Sequence, residues 1–237
     1  MVTQAQTSKT SWRKNLETFL GLDLRSLAAF RIGISIIIIV DLFTRFGDLN
    51  AHYTDFGVLP RTLLAEIAKP GYLSLQTISG EPIVQALLFA VAAFFALLML
   101  VGYRTRVGTI ASWVLLVSMH NRNPPLIFAA DDVLRTLMFW AMFLPWGPCY
   151  SFDSALNTSQ LQLPETVVSS ATSALMYQQY FIYIFSAAIK TKSPIWVDGS
   201  AVYYALSFDE YLTPFGYFFL NFRPILKVFT QITLVLE

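Results

Sequence analysis

The chain contains 237 residues, of which 55% are hydrophobic and only 13% are charged, and its mean hydropathy is +0.55. Soluble domains carry about a quarter charged residues, and apolar runs long enough to cross a bilayer recur here, so the composition predicts an integral membrane protein. The formal net charge of +1 gives no reason to expect a nucleic-acid partner, and the single Cys149 excludes an internal disulfide and a cysteine-based metal cluster.

The N-terminal segment, residues 1–23, is polar, and we separate it from a membrane domain that covers residues 24–237. Its polar stretch is too long for a signal peptide. Basic residues near the first span often set the orientation of a membrane protein, so four of them here favour a cytoplasmic N-terminus. These residues are Lys9, Arg13, Lys14 and Arg25.

Apolar segments follow one another along the rest of the chain, and they predict an all-α, multi-pass bundle of about six transmembrane helices. The segments cover about Leu24–Phe46, Pro82–Val101, Val107–Met119, Asp131–Trp146, Ala171–Ile189 and a last stretch from near Pro224. The second and third form a tight helical hairpin in this interpretation. The final residues, ILKVFTQITLVLE, end inside what reads as an unfinished membrane helix, so we expect the chain to be truncated at its C-terminus.

The loop between the first two segments contains PRTLLAEIAK, which predicts a short amphipathic helix near residues 60–69. Pro60 is suited to the first turn of a helix, and the amphipathic pattern is typical of a position at the membrane interface. Six crossings would place this loop and the loops 120–130 and 190–222 on one side of the membrane. The unusual polar residues lie in these three loops, so the pattern predicts an outward-facing polar pocket.

Charged residues inside the first apolar segment need partners, because a charge near the bilayer centre costs about 2.5–3.5 kcal/mol even on the mildest scale. Arg31 and Asp41 are ten residues apart, or about 15 Å along a helix, so they do not pair. Arg45 lies one turn beyond Asp41 and is a suitable partner. Arg31 requires a carboxylate from another helix, a lipid phosphate or a position nearer the interface. A structural role and a ligand-binding role both remain open for these charges.

The stretch SMHNRNPPLIFAADDVLR, residues 118–135, concentrates polar groups between two apolar segments. Asp131 and Asp132 lie where a carboxylate caps the free N–H groups of a helix. Two adjacent aspartates cannot both cap one helix, so Asp132 pairs with Arg122, Arg135 or an external group in this interpretation.

Two histidines and two asparagines raise the question of a proton-transfer or metal site. His120, Asn121 and Asn123 either satisfy loop carbonyls, as a loop that enters a membrane must, or contribute to a pocket, with His120 as a proton carrier. His52 and His120 are far apart in the sequence and lack zinc-site spacing, so we expect no metal site.

Lys190 ends the fifth apolar segment. A lysine there complements the negative end of a helix dipole, or, held in apolar surroundings, it becomes a base. Aromatic residues precede it and fit helix packing, an interfacial belt or the lining of a flat ligand. They are Tyr177, Tyr180, Phe181, Tyr183 and Phe185.

Three ordered stretches resemble one known family. They are RIGISIIIIVDLFTRFGDLNAHYTDFGVLPR, MHNRNPPLIFAADDVLRTLMFWAMFLPWG and YFIYIFSAAIKTKSPIWVDGSAVYYAL. Together they are similar to the HTTM (horizontally transferred transmembrane) domain, the bacterial relative of vitamin K-dependent γ-glutamyl carboxylase, over about residues 24–237. The resemblance implies a multi-helical membrane domain that acts on or binds a lipid-soluble, quinone-like molecule.

The resemblance also shows where this chain departs from the animal carboxylase. In the carboxylase the catalytic lysine is the second lysine of a K-K-L-D-x-D-W stretch; here the first lysine matches Lys190, and the catalytic position falls on Thr191. The carboxylase histidine, in a W-N-N-H stretch, falls near Asn123. Both departures argue against glutamate carboxylation, so whether the protein is an enzyme stays open.

The leading hypothesis is an HTTM-like protein with a polar pocket for a quinone or another isoprenoid lipid. Lys190 and His120 are its candidate catalytic residues, and Arg31, Asp41 and Arg45 are its candidate structural charges. The candidate ligand-binding residues are Asn121, Arg122, Asn123, Asp131, Asp132, Arg135, Trp196 and Asp198. The alternative hypothesis is a noncatalytic accessory or assembly subunit, with membrane lipids and other membrane protein subunits as its partners.

Overall fold

A computed structural model describes residues 19–67, 71–157, 165–209 and 212–236 of the chain. The chain forms two compact units, one up to Leu175 and the other from Met176, and each is described by itself. The division into a polar segment, 1–23, and one membrane domain, 24–237, stays a prediction, and residues 1–18 lie outside the described part.

Helices dominate the first unit. In chain order they are α1 (Leu24–Gly47), α2 (Leu49–His52), α3 (Arg61–Ile67), α4 (Pro82–Val101), α5 (Thr105–Arg122), α6 (Ala129–Ala141) and α7 (Phe152–Leu156). Single 3₁₀ turns cover Leu75–Thr77 and Pro124–Leu126. A two-residue antiparallel ladder pairs β1 (Leu22–Asp23) with β2 (Thr166–Val167). The predicted helix near 60–69 is confirmed as α3 directly after Pro60, whereas residues 68 and 69 lie outside the described residues.

The long helices of the first unit pack against one another in chain order. Helix α1 packs on α4, α4 packs on α5 and α5 packs on α6. Small residues let α4 and α5 approach closely. Ala92 and Ala96 are buried on α4, and a Cβ atom added at Gly108 on α5 would lie 3.2 Å from the backbone nitrogen of Met99. Close backbone approach of this kind increases dispersion contacts, which stabilise helix pairs where lipid surrounds them.

The predicted hairpin between the second and third apolar segments is confirmed in the α4–α5 turn. Gly102 has a φ of +72°, the left-handed conformation that ends many helices, and Arg104 follows with a φ of +44°. Asp153 then caps α5, because its carboxylate accepts hydrogen bonds from the backbone nitrogens of Arg104 at 2.7 Å and Thr105 at 2.8 Å. The turn therefore depends on a residue about 50 positions further along the chain.

The second unit contains the later part of α8 (Ser170–Lys190) and four shorter helices: α9 (Pro194–Val197), α10 (Ala201–Leu206), α11 (Pro214–Leu220) and α12 (Arg223–Leu236). Its centre lies around Leu226 and Thr230, which are both buried. The hydroxyl of Thr230 donates to the carbonyl of Leu226 at 3.0 Å and accepts from the backbone nitrogen of Val202 at 3.2 Å. These bonds tie α12 to α10.

The all-α class is confirmed, but the prediction of about six transmembrane helices is wrong. Among the described residues, α1 and α4 are long and apolar enough to cross a membrane, and α11 with α12, which meet at a bend of 101°, form a third span if the pair is counted as one. Two to three candidate spans support membrane association. The excess in the prediction has a physical cause: α6 has 13 residues, about 20 Å of helix, and α5 and α8 carry many polar residues.

Candidate ligand site

The guanidinium of Arg45 lies between two carboxylates from different helices. Its Nε donates to Asp41 Oδ1 at 2.8 Å, and its Nη2 donates to Asp131 Oδ1 at 2.8 Å. Nη1 donates to the hydroxyl of Tyr53 at 3.3 Å. The Arg45 side chain is only 14% exposed, and charge-assisted bonds in such surroundings are stronger than exposed ones. The predicted Asp41–Arg45 pair is therefore confirmed, and Arg45 also connects α1 to α6.

Asp131 is positioned by the start of α6. It occupies the third residue of that helix, and its Oδ2 accepts a hydrogen bond from the backbone nitrogen of Phe128 at 2.9 Å. The cap prediction for Asp131 is thus confirmed, while its second oxygen remains available to Arg45. One aspartate therefore satisfies a helix end and an ion pair at the same time.

His120 lies beside this cluster, in the last turn of α5. Its side chain is fully buried, and Nε2 lies 3.6 Å from Asp131 Oδ1. Neither ring nitrogen has a hydrogen-bond partner among the described residues. Burial lowers the pKa of His120 to about 4, with Asp131 acting in the opposite direction and the charges of Arg45 and Arg135 reinforcing the decrease. The imidazole is therefore neutral at physiological pH and offers a free lone pair.

Three groups at this point are of the types that hold metal ions. Asp41, His120 and Asp131 each offer one ligand atom, and these atoms all lie within 4.8 Å of one another. The sequence predicts no metal site, because the test of histidine spacing looks for ligands close together in the chain. Here the groups come from three different helices, so spacing along the sequence carries no signal.

A cavity of about 550 Å³ lies between α1 and α6 in the first unit. This volume is in the range of small-molecule sites, about 300–1,000 Å³. The carboxylate-bearing residues Asp41 and Asp131 are part of its lining. The apolar part of the lining consists of Phe30, Gly33, Ile34, Ile37, Val133, Leu134 and Leu137. An apolar chamber thus meets the Arg45 cluster at its polar edge.

Arg122 is the last residue of α5, two positions after His120, and its side chain contacts the loop between α2 and α3. Its side chain is fully buried; Nη1 donates to the carbonyl of Leu59 at 2.8 Å and Nη2 donates to the carbonyl of Thr54 at 3.1 Å. Asp55 Oδ1 lies 3.7 Å from Nη2. These contacts hold the loop between α2 and α3 against α5. Two of its donors are thus bound to backbone carbonyls. The ligand-binding role predicted for Arg122 stays a prediction.

The two asparagines beside Arg122 also hold this loop region. The amide nitrogen of Asn121 donates to the carbonyl of Leu73 at 2.8 Å, and that of Asn123 donates to the carbonyl of His52 at 2.9 Å. Arg135 Nη2 donates to Asn121 Oδ1 at 3.2 Å. The expectation that these asparagines satisfy loop carbonyls is confirmed, and a contribution to ligand binding stays a prediction.

Asp132 points away from the buried cluster. Its side chain is 69% exposed and lies 3.5 Å from Arg135 Nη1, one of the partners that the sequence left open. Adjacent aspartates therefore have different environments, with Asp131 inside and Asp132 outside.

Arg31 lies about 15 Å along α1 from Asp41, and it is fully buried. Its Nη2 donates to the backbone carbonyl of Tyr150 at 2.5 Å. Asp153, which caps α5, has its pKa lowered: burial raises it, but hydrogen bonds from Thr105 and Arg104 and the charge of Arg31 outweigh that effect. Arg31 thus has an electrostatic partner from another segment, and it belongs to the opposite end of α1 from the cluster.

The remaining predicted site residues lie in the second unit. The ammonium of Lys190 sits 4.6 Å from the ring centroid of Trp196, a cation–π contact at the end of α8. The exposed carboxylate of Asp198 accepts from the backbone nitrogen of Ser200 at 2.8 Å. The first unit builds its cluster and cavity without these residues, so their assignment to a site stays a prediction.

In the comparisons with known proteins, no family model matches the chain, and neither a curated protein nor a solved structure gives a match.

Proposed function

We propose that the chain is an HTTM-like integral membrane protein whose first unit binds a lipid-soluble, hydroquinone-like molecule in the cavity between α1 and α6. The observation that carries the proposal is the combination of an apolar chamber with two carboxylate-bearing residues, Asp41 and Asp131, on its lining. A molecule with a long apolar body and a hydrogen-bond-donating head matches both parts. We place the N-terminus on the cytoplasmic side and the polar end of the site on the outer side.

The polar groups favour the reduced form of such a ligand. A hydroquinone carries two O–H donors, and a carboxylate accepts such bonds in the charge-assisted form. An oxidised quinone carries only carbonyl acceptors, which the carboxylates of Asp41 and Asp131 repel. The cavity therefore discriminates by hydrogen bonding, since a buried acceptor left without a donor costs about 1–3 kcal/mol.

Binding of decylubiquinol and decylubiquinone to the detergent-purified chain tests this proposal. We expect the reduced compound to bind at least tenfold more tightly, because that ratio corresponds to about 1.4 kcal/mol and hence to one hydrogen bond of this kind. Equal affinity for the two compounds, or preference for the quinone, would reject the assignment of Asp41 and Asp131 as the recognising groups.

In the enzymatic form of the proposal, a proton released by the hydroquinone passes to His120 or Lys190. His120 is 3.6 Å from Asp131 and its ring nitrogens have no hydrogen-bond partner among the described residues, so it is placed to accept a hydrogen bond from a hydroquinone hydroxyl. Lys190 enters as the lysine that ends the fifth apolar segment, where apolar surroundings would make it a base. Unchanged decylubiquinol binding and unchanged proton release from the bound decylubiquinol in Lys190→Ala would remove Lys190 from the mechanism and leave the cavity assignment intact. Glutamate carboxylation is not proposed, because Thr191 and Asn123 replace the expected lysine and histidine.

A noncatalytic accessory subunit is the second candidate function. The aromatic side chains on α8 that the sequence singled out are all more than half exposed, as in Tyr177 at 52% and Phe185 at 62%. Such a surface needs lipid or another membrane subunit to cover it. Native mass spectrometry of the protein released from its own membrane separates the two functions: a bound isoprenoid on the single chain supports the ligand site, and a stable hetero-assembly without small molecules supports the accessory role.

A further inference from the structure

We propose that Asp41, His120 and Asp131 form a binding site for a divalent first-row metal ion of the Zn²⁺ or Mn²⁺ type. The three residues come from α1, α5 and α6, and their ligand atoms all lie within 4.8 Å of one another. The proposal goes beyond the lipid site and does not rest on it, because metal content is measured on the chain without any lipid ligand.

The distances suit one shared ion. Zinc binds imidazole nitrogen and carboxylate oxygen at about 2.0–2.2 Å, and tetrahedral ligands at that range lie about 3.4 Å from one another. His120 Nε2 and Asp131 Oδ1 are 3.6 Å apart. This pair therefore already has the separation of two ligands of one ion, and Asp41 completes the set within 4.8 Å.

His120 supplies an observation independent of the carboxylates. Its side chain is 0% exposed, and both of its ring nitrogens are without a hydrogen-bond partner among the described residues. Buried polar groups are nearly always bonded, since an unsatisfied group costs about 1–3 kcal/mol. A metal ion bound through Nε2 would satisfy the nitrogen that faces Asp131. Asp41 Oδ2 is likewise buried and without a hydrogen-bond partner in the described ranges.

The charges leave room for a cation beside Arg45. The two carboxylates of Asp41 and Asp131 share one guanidinium, that of Arg45, so they leave one negative charge for a further cation. Arg45 bonds to Oδ1 of each carboxylate, which orients both groups and leaves Asp41 Oδ2 for another ligand. Groups that hold the ligands of a metal site in this way set its geometry and strengthen its affinity.

The ligand types define the class of metal. One imidazole and two carboxylates, with no thiolate among them, suit divalent ions such as Zn²⁺ and Mn²⁺ better than soft ions such as Cu⁺. Three protein ligands leave a coordination position free, as in many zinc sites that bind water or substrate. Because Asp41 and Asp131 also line the cavity, the free position lies next to the chamber between α1 and α6.

Metal titration of the full chain tests the site. The detergent-purified protein is stripped with EDTA, titrated with Zn²⁺ and with Mn²⁺ by calorimetry, and then analysed for bound metal by mass spectrometry. We expect one ion per chain in the wild type, and at least tenfold weaker binding in His120→Gln and in Asp41→Asn. His52→Gln and Glu66→Gln are the matched controls, because they change the other histidine and an exposed acid on α3, and we expect both to bind like the wild type.

Pulsed electron paramagnetic resonance of bound Mn²⁺ keeps the proposal testable if a variant fails to fold. We expect a nitrogen coupling from a coordinated imidazole in the wild type, unchanged in His52→Gln. Wild-type protein that takes up no more metal than His120→Gln would overturn the proposal, as would bound Mn²⁺ without nitrogen coupling or an equal loss in His52→Gln. Arg45 would then be the cation that serves this cluster.

Discussion

Arg45 donates a hydrogen bond to Asp131 across 2.8 Å, although the two residues are 86 positions apart in the chain. The bond joins α1 to α6 at the point where the cavity between those helices meets its polar edge. The same guanidinium holds Asp41 on α1. One arginine therefore fixes the position of both carboxylates that the proposed ligand would meet.

Replacement of Arg45 by methionine should destabilise the first unit strongly. Arg45→Met keeps most of the side-chain volume but leaves Asp41 and Asp131 without their cation, and loss of one member of a buried ion pair costs about 3–5 kcal/mol. Denaturant titration in detergent with a chelator present measures the change. Asp132→Asn is the control. It removes the ion pair between Asp132 and Arg135, in which the Asp132 side chain is 69% exposed, and exposed ion pairs contribute about 0–1 kcal/mol to stability. Similar losses in the two variants would mean that the cluster does not stabilise the fold.

Arg122→Met should release the loop between α2 and α3. The substitution removes the donors that bind the carbonyls of Leu59 and Thr54, and hydrogen bonds from a charged group contribute about 1.5–3 kcal/mol each. Limited proteolysis followed by mass spectrometry should show faster cleavage within residues 53–60. Arg106→Met, at an exposed arginine near the other end of α5, should leave the cleavage pattern unchanged. Equal protection in Arg122→Met and the wild type would show that other contacts hold the loop.

The ion pair between Asp55 and Arg61 makes the stability of the folded chain depend on pH in the acid range. A side-chain hydrogen bond from Arg61, at 2.8 Å, lowers the pKa of Asp55 below 3.8, although partial burial opposes the shift. Because the carboxyl titrates lower in the folded chain than in the unfolded chain, its stabilising effect is complete above about pH 5 and is lost as the pH falls through 3.8 and the lower folded value.

Circular dichroism during acid titration checks this contribution. Asp55→Asn should be less stable than the wild type at neutral pH, and the difference between the two should shrink as the pH falls below 3.8. Glu66→Gln, at an exposed acid on α3, should follow the wild-type curve. A stability difference that stays constant from pH 6 to pH 3 would contradict the role of the ionised Asp55.

The sequence predicts the parts of this structure that depend on local patterns. The apolar runs predict the first and last residues of α1 and α4 to within one residue. The i,i+4 spacing predicts the pair of Asp41 with Arg45, and the position of Asp131 predicts a helix cap. The count of about six spans fails because apolar content alone does not measure helix length, and α6 ends at Ala141 although its apolar run continues to Trp146.

The site required information that no local pattern contains. Nothing in the spacing of Arg45, His120 and Asp131 shows that α1, α5 and α6 bring them together, since such contacts depend on how helices pack. Tyr53 and Gly33 were also missed, because a tyrosine in a loop and a glycine in an apolar helix are common without any role. A turn rich in asparagine and arginine pointed to Asn121 and Arg122, but the sequence does not show that they donate to the carbonyls of Leu73 and Leu59.

Occlusion of the cavity tests the central claim most directly. Gly33 and Gly47 both lie in α1, and a Cβ atom added at either would meet nothing within 4 Å, so neither position has a steric clash at Cβ. Only Gly33 lines the cavity. Decylubiquinol titration of Gly33→Leu should show at least tenfold weaker binding than the wild type, while Gly47→Leu should bind like the wild type. Equal affinity in Gly33→Leu and Gly47→Leu would contradict binding between α1 and α6.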